Sequence, residues 1–336
     1  MLCYTPIDRI DIDKILTDIE NTLAREVIIF NETEWELRII TKSFVDKLKE
    51  KNVKLTIVFG SFFDEYYERY ADSKGISLDN LIFWPTFWIT WTEMCLKWVI
   101  DYKSHTVNTD FKYPFISLNN KNHRHREALI DHLAKYNLLD KGIVTWHKFM
   151  DYRLGHHDDK YEFKHYDNST RTIDDNFATQ LDSFLIPKQW HECFLHVVGE
   201  ATTSVQIISE KTIIPVLMKK PFVCIAKKGY SKRLVELGFK LYDEIIDYSF
   251  DECDDLSDRA DKLCYSVSQL GTNYSELYEL LRPKIEFNYQ RCLEIIHDGN
   301  LVPDIIKDNL KKQDPNFVAL ATYGRYLNIC NDYCHD

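Results

Sequence analysis

The stretch from Cys193 to Tyr230, CFLHVVGEATTSVQIISEKTIIPVLMKKPFVCIAKKGY, constrains the fold of this chain more than any other. Its two apolar runs, Phe194 to Val198 and Phe222 to Ala226, have the length and residue types of buried parallel strands. Between them Ser209 is placed to cap a helix with Glu210 and Lys211 in its first turn, and Ile213, Ile214, Leu217 and Met218 are spaced to face a sheet. The segment therefore reads as a βαβ unit with charge at its mouth. Ligands of open α/β sheets bind beyond the carboxyl ends of the strands, where helix N-termini offer N–H groups to anions. Glu200, Ser209, Glu210 and Lys211 all fall at that edge. A plainer reading has Glu210 complementing the helix dipole and Lys211 solvated.

The chain has 336 residues, 45% of them hydrophobic, enough for two packed domains or one large one. A net charge of −11 argues against a protein that coats DNA or an anionic membrane, so any nucleic-acid role would need a local basic groove. The nine cysteines are scattered, and Cys193 and Cys224 fall inside expected core strands, as reduced thiols of a cytosolic protein do. The pair Cys330 and Cys334 lacks the companion ligands of a zinc site. The opening residues MLCYTPIDRIDID carry no apolar signal core, and Leu81 to Ile100 is broken by Pro85, Glu93 and Lys97. The expectation is a cytoplasmic protein without a membrane span.

Helical and extended patterns alternate along the chain. Asp11–Ala24 and Thr41–Lys51 read as helices, and Val27–Phe30, Lys54–Phe59 and Leu81–Trp84 as strands, followed by an aromatic helix over Thr86–Ile100. A second series has strands at Pro114–Leu118 and Ile143–Trp146, a helix over His125–Tyr136 between them, a long Tyr-, His- and Asp-rich loop over Asp151–Ser169, and then the βαβ unit. Helical pattern dominates from Asp254 onward, most clearly over Leu277–Ile296. The expected divisions are an N-terminal α/β domain over 1–105, a second α/β domain over 106–270 and a helical segment over 271–336.

A second chemical cluster, Ser117-Leu118-Asn119-Asn120-Lys121-Asn122-His123-Arg124-His125-Arg126, leaves a strand and enters a helix. Asparagines tolerate the tight turn, and cations gathered at a helix start suit a phosphate. Cations there oppose the helix dipole, which suggests that an external anion compensates them; the alternative is a solvated basic loop.

The run ISEKTIIPVLMKKPFV resembles the donor-site motif of GT-B glycosyltransferases of the fucosyltransferase and exostosin-like type. There a Thr/Ser-Glu-Lys helix start precedes a proline and a Pro-Phe-Val strand. The asparagine-rich segment ending in Arg124 and Arg126 resembles the same group's asparagine-and-arginine loop. LGFKLYDEIIDYSFDE is similar to a segment of phage- and virus-encoded members. The resemblance covers Tyr113 to Lys262 and departs from many GT-B enzymes in lacking a Gly-rich stretch near the donor. It implies two Rossmann-like domains, with the C-terminal helices packing back on the first. It also implies a UDP- or GDP-sugar as donor and a glycan, protein or modified-base acceptor, in the host cytoplasm if the protein is viral. In that scheme Glu210 hydrogen-bonds the donor ribose, Lys211 and one of Arg124 or Arg126 neutralise the diphosphate, and Asn119 braces the loop.

Glycosyl transfer with inversion also needs a carboxylate base aimed at the acceptor hydroxyl. Glu34, Asp64 and Glu65, with Glu32, follow expected strands of the first domain, and acidity alone does not choose among them. No metal is expected: Asp11 and Asp13 open a helix and are explained by capping, and His156-His157-Asp158-Asp159 has no companion motif. Phe87, Trp91, Cys95 and Trp98 have the spacing of a buried helix face, which leaves Trp84 and Trp88 as candidates to stack an acceptor. Two other readings are a nucleotide hydrolase, which would need a metal cluster or Walker loop, and a nucleotide- or glycan-binding module without activity.

Overall fold

The structure is a computed structural model that describes residues 2–4, 12–31, 40–83, 85, 107–119, 123–146, 161 and 188–298. It falls into two compact units. The first comprises Met1–Thr90, Val205–Ile207 and Ile295–Asp336, and the second Trp91–Ser204 and Ile208–Glu294. The expected boundary at 105/106 lies outside the described residues.

The first unit contains β1 (Leu2–Tyr4), α1 (Ile12–Thr22), β2 (Glu26–Asn31), α2 (Lys42–Glu50), β3 (Lys54–Phe59), α3 (Glu65–Lys74) and β4 (Leu81–Phe83). Its sheet is parallel throughout, in the order β1-β2-β3-β4. Since every step goes the same way and such crossovers are right-handed, α1, α2 and α3 share one face. The core agrees: Ile15 and Ile19 of α1, Phe44 and Leu48 of α2 and Tyr67 and Ala71 of α3 pack in one cluster with Val27, Ile29, Leu55 and Ile57. Local signals set the ends of two helices. The Thr41 hydroxyl accepts the Phe44 amide at 3.2 Å, and α3 closes on Gly75, whose φ of 67° suits a residue without a Cβ. The sequence reading anticipated α1, α2 and β2 to β4 but not β1 or α3.

The second unit contains β5 (Tyr113–Asn119), α4 (Arg124–Lys135), β6 (Ile143–Trp146), the short α5 (Lys188–His191), β7 (Cys193–Gly199), α6 (Glu210–Leu217), β8 (Phe222–Ile225), α7 (Tyr230–Glu236), α8 (Leu256–Ser268) and α9 (Tyr274–Asp298). The sheet is again parallel but runs β6-β5-β7-β8. From β5 the chain first steps to one side, then crosses back to the other. The βαβ unit read from the sequence is present as β7-α6-β8, with every residue of both strands buried. Gly142 enters β6 where a Cβ would lie 2.5 Å from the Phe115 ring, so the core excludes any larger side chain there.

At the amino ends of these strands Lys220 is buried, donating to the Cys193 carbonyl with its Nζ 4.3 Å from the Trp190 ring centre. Helix α9 joins this unit up to Glu294. The Tyr278 hydroxyl donates to the Lys219 carbonyl at 2.9 Å and Arg291 Nε to the Leu237 carbonyl at 2.8 Å. The segment 271–336 was expected to pack on the first domain; its described helix α9 joins the second unit up to Glu294 instead, and residues 299–336 lie outside those described.

Candidate functional site

The order β6-β5-β7-β8 reverses between β5 and β7, and ligands of doubly wound sheets bind at the carboxyl edge of such a reversal. There β5 ends in Asn119 and β7 in Gly199, and the helices that follow them, α4 and α6, leave toward opposite faces of the sheet. A Cβ on Gly199 would lie 2.8 Å from Arg126 Cγ and 3.2 Å from Asn119 Oδ1. Glycine at the end of β7 therefore lets both side chains close over the strand. Asn119 is wholly buried: its amide nitrogen Nδ2 donates to Ser117 Oγ at 3.0 Å, while Oδ1 has no hydrogen-bond partner. A buried acceptor left in that state costs about 1–3 kcal/mol, and such groups mark places where a further donor fits.

Glu200 organises the edge. Its carboxylate accepts from Ala201 N (2.6 Å), Ser209 N (2.9 Å), Ser209 Oγ, Thr212 Oγ1 (3.2 Å) and Tyr230 OH (3.2 Å). Its backbone carbonyl accepts from His125 Nε2 at 2.6 Å and an Arg126 guanidinium nitrogen at 2.9 Å. Glu200 has no exposed surface and its lone pairs are taken up by the protein, so it braces the loop between β7 and α6 instead of presenting oxygens outward. Burial, then the nearby Arg126 charge, hold the His125 pKa well below its ordinary value, so this imidazole is neutral and Nε2–H donates.

The structure gathers Asn119, Arg126, Glu200, Ser209, Glu210 and Lys211 at this edge. Ser209 caps α6 as expected, accepting the Lys211 amide at 3.3 Å, and Lys211 Nζ meets Glu210 Oε1 at 2.5 Å. Arg124 lies in the first turn of α4, ion-paired with Glu127 one turn on at 3.0 Å. Each arginine also has a partner within the protein: Arg124 pairs with Glu127, and Arg126 donates to the Glu200 carbonyl. Arg124 and Lys211 each keep 29% of their side chain exposed, whereas Arg126 is buried. Among the described residues Lys211, Glu210 and Arg124 are the partly exposed groups at this edge, and Asn119, Arg126, Glu200 and Ser209 are buried.

Asp64 and Glu65 lie in the first unit. Asp64 caps α3, with Oδ1 accepting the Tyr66 amide at 2.8 Å and Oδ2 the Gln206 amide at 3.1 Å, and Glu65 is exposed in the first turn. Glu34, with Glu32, Trp84, Trp88 and the histidine pair 156–157, lies outside the described residues. The sequence reading missed His125, Thr212 and Tyr230 as partners of Glu200. His125 belonged to a motif already in view, whereas the other two carry no local signal.

Among the described residues no group of three His, Cys, Asp or Glu side chains is placed to hold a metal ion, and no helix is long and apolar enough to cross a membrane. Comparison with protein-family models, with curated proteins and with solved structures gave no match.

Proposed function

We propose that the second unit binds a nucleoside diphosphate at the β5/β7 reversal and that the protein transfers a sugar from a UDP- or GDP-sugar to an acceptor hydroxyl. The observation that supports this reading most is the strand order itself. It sets the N-termini of α4 and α6, each bearing a partly exposed cation, at the one edge where nucleotides bind in doubly wound sheets. In the proposed reaction, Lys211 and Arg124 offset the charge that develops on the departing diphosphate, and first-turn N–H groups add to it. Glu210 accepts from the ribose hydroxyls, turning from Lys211 as the diphosphate takes over that cation. A carboxylate removes the acceptor proton. The candidates for this role are Glu34, Asp64 and Glu65; Asp64 already accepts one backbone amide on each oxygen, which leaves it further lone pairs.

Calorimetric titration with UDP and GDP tests the site. Lys211→Ala and Arg124→Ala should each weaken binding by about 1.5–3 kcal/mol, the range for hydrogen bonds to charged groups. Unaltered affinity in both variants would remove the assignment. A second reading is a nucleotide-binding module without transfer. It predicts the same binding but no turnover of nucleotide sugar with or without acceptor.

A further inference from the structure

Helices α4 and α8 of the second unit meet along a polar seam that the proposed nucleotide site does not use. His132 Nε2 lies 2.9 Å from Ser257 Oγ, and His132 Nδ1 lies 3.0 Å from Asp261 Oδ1. An ionised carboxylate only accepts, so Nδ1 carries the proton and Nε2 turns its lone pair to the serine hydroxyl. We propose that Ser257, His132 and Asp261 form a nucleophile–base–carboxylate relay that accepts an acyl group from an activated ester.

Three features of the fold fit this role. Ser257 is the second residue of α8, whose cap Asp255 takes the Asp258 amide on its side chain and the Arg259 amide on its carbonyl. The amides of Leu256 and Ser257 stand among the first-turn N–H groups that a helix leaves to an outside acceptor, where a developing oxyanion would be stabilised. Ser257 keeps partial exposure, whereas the His132 side chain retains 12%, so the hydroxyl is the accessible end of the relay. The charges around His132 are known as well: Asp261 and Asp131 favour its protonation and Lys135 opposes it. Burial is the largest influence, and the net effect holds its pKa below the ordinary value, leaving a neutral base near pH 7.

In the reaction Ser257 Oγ attacks the ester carbonyl as its proton passes to His132 Nε2. The bond to the leaving oxygen breaks, and that oxygen takes the proton from His132. Water then repeats the sequence on the acyl-serine, releasing the carboxylic acid and restoring the hydroxyl.

Lys135 supplies an internal control. Its Nζ donates to the same Asp261 oxygen at 2.6 Å, sharing the negative charge that orients His132. Removing that cation should make His132 more basic and the relay faster.

The test is treatment of the full chain with a fluorophosphonate, which replaces fluoride by the serine oxygen, followed by peptide mass spectrometry. A p-nitrophenyl acetate burst provides a second readout. The expected result is one adduct, on Ser257, with labelling slowed about 100-fold in His132→Gln, the lower range for a general base, and accelerated in Lys135→Met. No adduct on Ser257, or labelling indifferent to His132→Gln, would overturn the proposal. So would a pattern in which Ser257→Ala and His132→Gln lower the melting temperature while the folded wild type shows neither adduct nor burst, since the seam would then be only a helix clamp.

Discussion

The two parallel sheets of this protein are wound differently. The first takes each new strand on the same side, in the order β1-β2-β3-β4; the second goes to one side of β5 and then to the other. Among its described strands, one-way winding keeps successive crossovers on one face, with no point where loops part to opposite sides. The second sheet has such a point, and it is there that the chain places a buried glutamate network, a glycine strand end and two helix N-termini. Among the described residues the two sheets share strand number and direction but not winding, and in doubly wound sheets strand order decides where backbone groups are left for a ligand.

The comparison can be broken by mutation. Glu200→Ala should have the largest effect, since it strands donors from Ala201, Ser209, Thr212 and Tyr230 in a site closed to water. A loss of about 3 kcal/mol or more in urea unfolding is expected for the second unit, and a change under 1 kcal/mol would show that the network is not the brace of this edge. Gly142→Ala should follow, costing about 1–3 kcal/mol by forcing the Phe115 ring aside, with nucleotide affinity preserved because the clash is remote from the strand ends. In the first unit Asp64→Ala removes one helix cap and the acceptor of the Gln206 amide, and about 1 kcal/mol is expected by the same measurement. Glu65→Gln, an exposed position beside it, should move stability by less than about 0.5 kcal/mol, so any loss of turnover in that variant would point to chemistry.

Much of the fold was legible because its signals are local. Ser209 and the apolar spacing behind it located α6, and the continuous apolar runs located β7 and β8 within a residue at each end. Helix α3 was not legible: EYYERYADSK is polar overall, and its buried face is made by Tyr67, Tyr70 and Ala71, a pattern that resembles a solvated segment. Strand order was hidden for a different reason. Nothing between Asn119 and Ile143 states that β7 will lie on the other side of β5, because that pairing joins residues some eighty positions apart, such as Tyr113 and Cys193. The same distance concealed the role of Glu200. Its charge and position at a strand end were visible and suggested a ligand contact, whereas Tyr230 reaches its carboxylate from thirty residues on, and only the folded chain shows that the carboxylate is already occupied.

The lysine enclosed at the other end of the second sheet makes unfolding a proton-uptake reaction. Burial holds the Lys220 amine at about 7, against an ordinary value of 10.5, so above neutrality the folded chain carries it largely uncharged and the unfolded chain takes up a proton. The Lys220 contribution to stability is therefore complete above the unfolded value and is lost as pH falls toward 7. The neighbouring Cys193 thiol, pushed up to about 12 by burial, works the other way once pH passes its ordinary 9.0, because the unfolded chain then gives a proton up. Alkalinity should thus tighten the fold from about pH 7 to about 9. Above that the Cys193 thiol alone offsets the lysine, and with Cys224 and Cys264, whose thiols burial also raises, it outweighs the lysine and loosens the fold, while in Lys220→Met the tightening limb should flatten.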